Sequence, residues 1–344
     1  MPIKYHSLGN SGLRVSNICL GTMTFGEPDQ KSFMHGVGTP EKTAFEIMDK
    51  AYEAGVNFWD TANVYGQDGL TEKIIGRWFE KNKGKRDDIV LATKCRFNMG
   101  PNINHKGASR KHIYQAIEAS LQRLQTDYVD LYQIHMQDFN TPEQETLEAL
   151  NELIRAGKVR NIGCSNYTGY RLERSINIAE KRNLNPYISL QAQYSLTCRT
   201  AELELTPVLR DHGLDMIAWS PLMGGFLSGK FSRENKKPEN ARLTKWGSDF
   251  LPFDTEKNWL ILAALKEVSA EQSKSCAEIA LAWCLTRPFM RSVIIGARTV
   301  TQLEENIKAA EVVLTAEQIK KLDKISALEL VYPYSFIKNV DGKW

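Results

Sequence analysis

The chain has 344 residues, 42% of them hydrophobic and 25% charged, and a formal net charge of +3. This length and composition describe a soluble globular protein with room for a sizeable core, and the charge is too mild to imply nucleic acid or another polyanionic partner. No stretch approaches the roughly 18 uninterrupted apolar residues of a membrane span, so membrane insertion is not expected. The opening segment MPIKYHSLGNSG lacks the apolar region of a signal peptide. The six cysteines, at 19, 95, 164, 198, 276 and 284, form no C-x-x-C and pair with no nearby histidine, so no metal site is expected. Free thiols fit a reducing compartment, and the expected location is cytoplasmic.

In chain order, IKYHSLGNSGLRVSNICLG alternates in two short runs around Asn-Ser-Gly, which predicts a β-hairpin leading into a buried strand. A rhythm then sets in. Strands are predicted at NICLG, NFWDT, DIVLATK, YVDLYQIH, KVRNIGCS, YISLQAQY, DMIAWS and SVIIGA. Between them, helical spacing covers 41–54, 70–82, 109–124, 142–156, 168–182, 199–212, 275–286 and 299–309. Eight strands alternating with helices predict an α/β fold, a (β/α)₈ TIM barrel. An open doubly wound sheet is the alternative, but no strand here is followed by the G-x-G-x-x-G turn such sheets use for dinucleotides. Ser109, Thr141-Pro142 and Thr315 read as helix starts, and Gly157 as a helix end. Two regions fall outside the repeat: the Gly- and Lys-rich connection 222–256, and an aromatic tail, 326–344, expected to pack near the barrel mouth. Nothing divides the chain, so 1–344 is read as a single domain.

In such a barrel the chemistry gathers where strands end. The predicted strands end in GTMTFG, in Asp60 with Tyr65 shortly after, in Lys94, His135, Ser165-Asn166, Gln191, Trp219-Ser220-Pro221, and Gly296 with Arg298. Singly, each has a structural explanation: Lys94 as a snorkelling surface residue, His135 as a core histidine, Asp60 as a helix cap. Together, Asp, Tyr, Lys and His make up the set needed to protonate a carbonyl oxygen as hydride arrives. A phenol with a pKa near 10 donates poorly at neutral pH; an ammonium beside it lowers that value, a carboxylate holds the ammonium, and a neutral imidazole orients the carbonyl (pKa about 10).

The blocks LGNSGLRVSNICLGTMTFG, AGVNFWDTANVYG, IVLATK, YVDLYQIH, GKVRNIGCSNY, AWSPLMGGFLSGK and IIGARTVTQLEEN, in this order, resemble the aldo-keto reductases. The resemblance implies a barrel whose N-terminal hairpin closes the base, and NADPH bound in extended form without a Rossmann domain. It maps the catalytic tetrad to Asp60, Tyr65, Lys94 and His135, with Tyr65 as general acid. It assigns Gly21, Thr22, Met23 and Asp60 to the cofactor; Ser165, Asn166 and Gln191 to the nicotinamide carboxamide; and Trp219 to stacking on the ring. Ser220, Pro221, Leu222, Gly224 and Lys230 would cover the pyrophosphate, with Arg242 joining this cofactor set, and Gly296, Arg298, Gln302, Glu305 and Asn306 would hold the adenosine end. This segment departs from the K-S-x-T-x-x-x-R of familiar members, leaving Arg298 as the cation for a 2′-phosphate; NADPH is still expected over NADH.

Phe25, Phe97, Met136 and Tyr194, just past strand ends, are expected to line an apolar pocket for a small-molecule aldehyde or ketone. Loop 27–40 looks longer than usual and lies beside that pocket. The protein is expected to be a monomer or weak homo-oligomer. GASRKHI, AWSPL, LAWCL and QLEENI also resemble the cytoplasmic β-subunits of voltage-gated potassium channels, which gives the alternative function of a cofactor-binding channel subunit with little turnover. Those subunits carry an amide where this chain has His135, and the enzyme is therefore preferred.

Overall fold

A computed structural model describes residues 3–30, 32, 35–239, 241–246 and 251–344. Ten strands are described: β1 Tyr5–Ser7, β2 Arg14–Ser16, β3 Ile18–Gly21, β4 Phe58–Asp60, β5 Val90–Cys95, β6 Val129–Ile134, β7 Val159–Ser165, β8 Ser189–Gln193, β9 Asp215–Trp219 and β10 Met290–Gly296. β3 to β10 form a closed parallel barrel, sealed where Val293 to Gly296 of β10 pair with Ile18 to Gly21 of β3. That seal rules out the open sheet, and the eight predicted strands are all present.

The strands read as unbroken apolar runs because both faces are covered. Outward residues such as Leu20, Trp59, Leu91, Tyr132 and Ile162 pack beneath the helices. Inward residues Cys19, Phe58, Ala92, Leu131 and Ile217 fill the lower barrel. Toward the strand C-termini the inward positions turn polar, with Asp60, Lys94, Gln133, Ser165 and Gln191 all buried. Polarity thus rises along the barrel axis toward one end.

The other end is closed by the antiparallel hairpin of β1 and β2. Its Leu8 and Val15, both fully buried, join the inward cluster. The Gly9 N–H donates to the Asp215 carboxylate at 2.6 Å, and Arg291 Nε donates to the same oxygen at 2.7 Å. Gly9 has φ +55°, and a Cβ there would lie 2.1 Å from the Ile188 carbonyl oxygen, so only glycine fits this turn.

The predicted helices occur as Glu41–Glu53, Leu70–Lys81, Arg110–Leu124, Glu143–Arg155, Gly169–Lys181, Ala201–His212, Cys276–Leu285 and Val300–Ile307. Ser109 accepts from the His112 N–H, and Thr315 with Gln318 forms a reciprocal capping box. Pro142 occupies the capping position itself, one residue before the first turn where the sequence put it. Helix Glu256–Gln272 was not anticipated: it buries Trp259, Ile261, Leu262, Leu265 and Val268 and has no polar stripe to reveal its period.

The 222–256 connection is partly structured, with a 3₁₀ turn over Met223–Ser228 and a short helix, Arg242–Trp246. Residues 240 and 247–250 of this connection, and 31, 33 and 34 of loop 27–40, lie outside the described residues. The tail forms helix Tyr334–Asp341, and the Tyr334 hydroxyl donates to Glu204. No helix among the described residues is long and apolar enough to cross a membrane, and the six cysteines are free thiols.

Candidate active site

Neighbouring strands β4, β5 and β6 bring Asp60, Lys94 and His135 to one rim, and the turn after β4 returns Tyr65 over them. Lys94 is fully buried and forms an ion pair with Asp60. Its ammonium also donates to the Thr61 carbonyl at 2.8 Å and to the Tyr65 hydroxyl at 3.3 Å, so all three of its donors are used. The second Asp60 oxygen accepts from Gln191 Nε2 at 2.7 Å, a contact across the barrel. Thr22 clamps the Asp60 backbone, its N–H and hydroxyl both donating to that carbonyl, at 3.0 and 2.9 Å. The His135 ring stands edge-on to Tyr65, with centroids 5.6 Å apart, and 4.7 Å from the Phe97 ring. Its Nδ1 is buried and meets no hydrogen-bond partner in the protein.

Burial alone would drive the Lys94 ammonium down, but Asp60 and Tyr65 reverse this through charge and hydrogen bonds and hold it above the ordinary lysine value. His135 goes the other way: burial first, then the charges of Lys94 and Arg96, keep it well below the ordinary histidine value, so the ring is neutral at pH 7. Tyr65 does not show the lowering expected from an ammonium beside it. Lys94 does pull the phenol down, but burial is the larger effect and the net shift is upward.

The opposite wall is a chain of mutually bonded amides. Asn166 Nδ2 donates to the His135 carbonyl and to Ser165 Oγ, both at 2.9 Å, and its Oδ1 accepts from Trp219 Nε1 at 3.1 Å. The Trp219 ring is half-buried, leaving part of it open. Asn166 and Ser220 both sit at positive φ, +53° and +54°. Ser220 Oγ accepts from the Gly224 N–H at 3.1 Å, folding Pro221 and Leu222 into a tight turn. Lys230 is exposed at the outer end of that connection, and Met23 is half-buried at the rim.

Arg242 is pulled down to about 10, by burial and then by Arg298, with Tyr65 opposing, so its guanidinium lies within electrostatic reach of both Arg298 and the Tyr65 phenol. At the start of helix Val300–Ile307, the Arg298 N–H donates to Gln302 Oε1 at 3.0 Å; Asn306 is buried and Glu305 exposed. A Cβ on Gly296 would meet open space, whereas one on Gly21 would come within 2.5 Å of Ile294. A separate cavity of about 500 Å³, at the hairpin end, is lined by Asn10, Arg160, Tyr187 and His212 and holds none of these groups.

The sequence matches the profile of the Aldo/keto reductase family over residues 17–327. The chain belongs to the aldo/keto reductase family. It is 43% identical to the uncharacterized oxidoreductase YrpG of Bacillus subtilis, over 94% of this chain and 96% of that protein. It is 31% identical to the versiconal hemiacetal acetate reductase of Aspergillus parasiticus, over 96% and 99%. A probable voltage-gated potassium channel subunit beta of rice, Oryza sativa subsp. japonica, is 34% identical over 94% and 96%. Membership makes oxidoreduction of carbonyl compounds with a nicotinamide cofactor the general chemistry of this aldo/keto reductase.

Of the four side chains expected to line this reductase's pocket, two stand at the rim: Phe97 against His135, and Met136, half-buried after it. The other two do not. Tyr194 is fully buried, stacked on Trp283 of an outer helix with its hydroxyl bonded to Glu202, so it belongs to the packing outside the strands. Phe25 is fully buried in the outer core, in a segment tied down by Thr71, whose hydroxyl donates to the Phe25 carbonyl at 3.0 Å. Being next to a strand end says nothing of which way a side chain turns. Two residues went unnoticed in the sequence. Thr61 contributes through its carbonyl, which no residue type encodes. Arg96 could have been found by counting two positions on from Lys94.

Proposed function

We propose that this chain is an NADPH-dependent reductase of aldehydes and ketones in which Tyr65 is the general acid. The observation that carries this reading is the contact between the Tyr65 hydroxyl and an ammonium already fixed by Asp60 and Thr61. Ser165, Asn166 and Gln191 would hold the nicotinamide carboxamide, exchanging bonds they now make with protein groups, and the open part of Trp219 suits an aromatic ring. Two guanidiniums at one locus, Arg242 and Arg298, form a donor set for phosphate, and Arg298 is the residue assigned to the 2′-phosphate. Bound, the reduced nicotinamide supplies hydride.

Tyr65 gives its proton to the carbonyl oxygen, and the phenolate left behind is stabilised by Lys94. Asp60 keeps that ammonium charged in a dry site. Neutral His135 can offer an N–H to the same oxygen, orienting the carbonyl without adding a competing charge. A phenol pushed up by burial holds its proton firmly until the substrate's oxygen begins to take on negative charge.

NADPH oxidation followed against a panel of aldehydes and ketones, beside Tyr65→Phe, tests this. The variant is expected to lose roughly 10²–10⁴-fold in kcat while binding NADPH as before; turnover equal to wild type would sink the assignment. Likeness to the rice protein supports a second reading, a cofactor-binding channel subunit. Tight NADPH binding without turnover on any carbonyl would favour it.

A further inference from the structure

We infer that Arg96 is a specificity-determining residue that selects carbonyl substrates bearing a carboxylate. The inference rests on the reading of Tyr65 and His135 as the site of carbonyl reduction, and it names the substrate class.

Arg96 follows β5 two positions after Lys94, the next position of the same parity toward the barrel mouth. Its φ is +132°, a backbone conformation that glycine tolerates and arginine does not. Strain of this kind persists only where neighbours over-determine it. They do so here. The carbonyl before it, on Cys95, accepts the His135 N–H at 2.9 Å, and its own carbonyl accepts the Gly107 N–H at 2.8 Å. The twist therefore comes with the hydrogen bond that seats His135, and it re-aims the side chain that follows.

The guanidinium lies 5.7 Å from the centre of the Phe97 ring, which itself contacts His135. Its Nε is buried and meets no partner in the protein. Its charge bears on both His135 and Asp138. Asp138 does not neutralise it by an ion pair: its oxygens are taken by the Ala108 N–H at 2.8 Å, the Asn140 N–H at 3.1 Å and the Thr141 hydroxyl at 2.8 Å. A cation with an unmet donor thus stands beside the apolar Phe97 ring, which packs on a neutral histidine. A planar carboxylate satisfies the fork of one guanidinium with two parallel hydrogen bonds. The substrate this geometry fits has its carbonyl at Tyr65 and His135, an apolar body along Phe97, and a carboxylate on Arg96.

The test compares 4-formylbenzoate with methyl 4-formylbenzoate, aldehydes alike except for the charge. With NADPH, wild type is expected to favour the carboxylate by about tenfold or more in kcat/KM, mainly through KM. Arg96→Met should abolish that ratio and Arg96→Lys keep part of it, whereas a purely structural role would depress both substrates alike. A wild-type ratio of one or less, or a ratio unchanged in Arg96→Met, overturns the inference. Calorimetry of terephthalate on the NADP⁺ complex reads the same anchor without turnover. Binding at least tenfold weaker in Arg96→Met supports it, and equal binding overturns it. Both aldehydes inert while that binding difference holds would remove the reductase reading and leave the anchor standing.

Discussion

Lys94 has no water to fall back on, and its charge depends on Asp60. Removing one partner of a buried pair strands the other, at a cost of roughly 3–5 kcal/mol, whereas replacing both with neutral groups of similar size is far milder. Asp60→Asn is therefore expected to destabilise the fold by that amount in urea unfolding, and Asp60→Asn with Lys94→Met by distinctly less; the reverse order would show that the pair does not govern stability here. His135 makes a prediction with a sign. Its folded value lies below the ordinary histidine value. The unfolded chain thus binds the proton more readily, and stability falls as pH drops below about 6.5, by up to roughly 1.4 kcal/mol per pH unit. The difference in stability between wild type and His135→Gln, measured from neutral to acid pH, should show this slope; parallel curves would refute it. For Lys94, raised above its ordinary value, the stabilising contribution is complete at neutral pH and disappears only in strong alkali.

Helix Leu70–Lys81 carries the support for Tyr65, because the Thr71 N–H donates to the Tyr65 carbonyl at 3.4 Å and the Thr71 hydroxyl to the Phe25 carbonyl. Gly76 lets this helix approach helix Arg110–Leu124: a Cβ there would sit 2.1 Å from the Arg123 carbonyl oxygen. Alanine in a helix is ordinarily better than glycine by about 1 kcal/mol. Here the overlap is with backbone that cannot turn aside, so Gly76→Ala is expected to destabilise by roughly 1–3 kcal/mol and to lower kcat along with Tm. A raised Tm would show that the helices can part freely. Elements like this one were legible in the sequence because one face is wet, and the period of 3.6 survives in the pattern. Glu256–Gln272 was not, since WLILAAL is apolar all round and carries no phase. The strand ends were legible for a related reason: Asp60, Lys94 and His135 break apolar runs, and a polar residue closing such a run stands out. The twist at Arg96 left no trace, because no residue type there asks for positive φ, and the turn of Tyr194 away from the rim is set by packing on Trp283 rather than by anything nearby in sequence.

Across the whole molecule, the tetrad and the floor stand at opposite ends of one barrel, which makes their effects separable. Leu8→Ala should cost about 2–5 kcal/mol in unfolding, by emptying a fully buried position of the plug, and leave KM for NADPH unchanged. A shift in that KM would mean that the two ends are coupled. The sealing pair of the ring, β3 with β10, joins residues 18 and 293, and Ser292 Oγ donates to the Ser16 carbonyl at 2.8 Å beside it. On a ribosome adding roughly 5–20 residues per second, the first of these strands is made roughly 14–55 s before its partner exists. Through that interval β3 has an open edge, a template for any strand that comes by, and no partial length of chain can close the ring. A message cut short before Met290 would therefore yield two exposed edges rather than a smaller barrel, and translation speed sets how long a growing chain depends on being shielded from its neighbours.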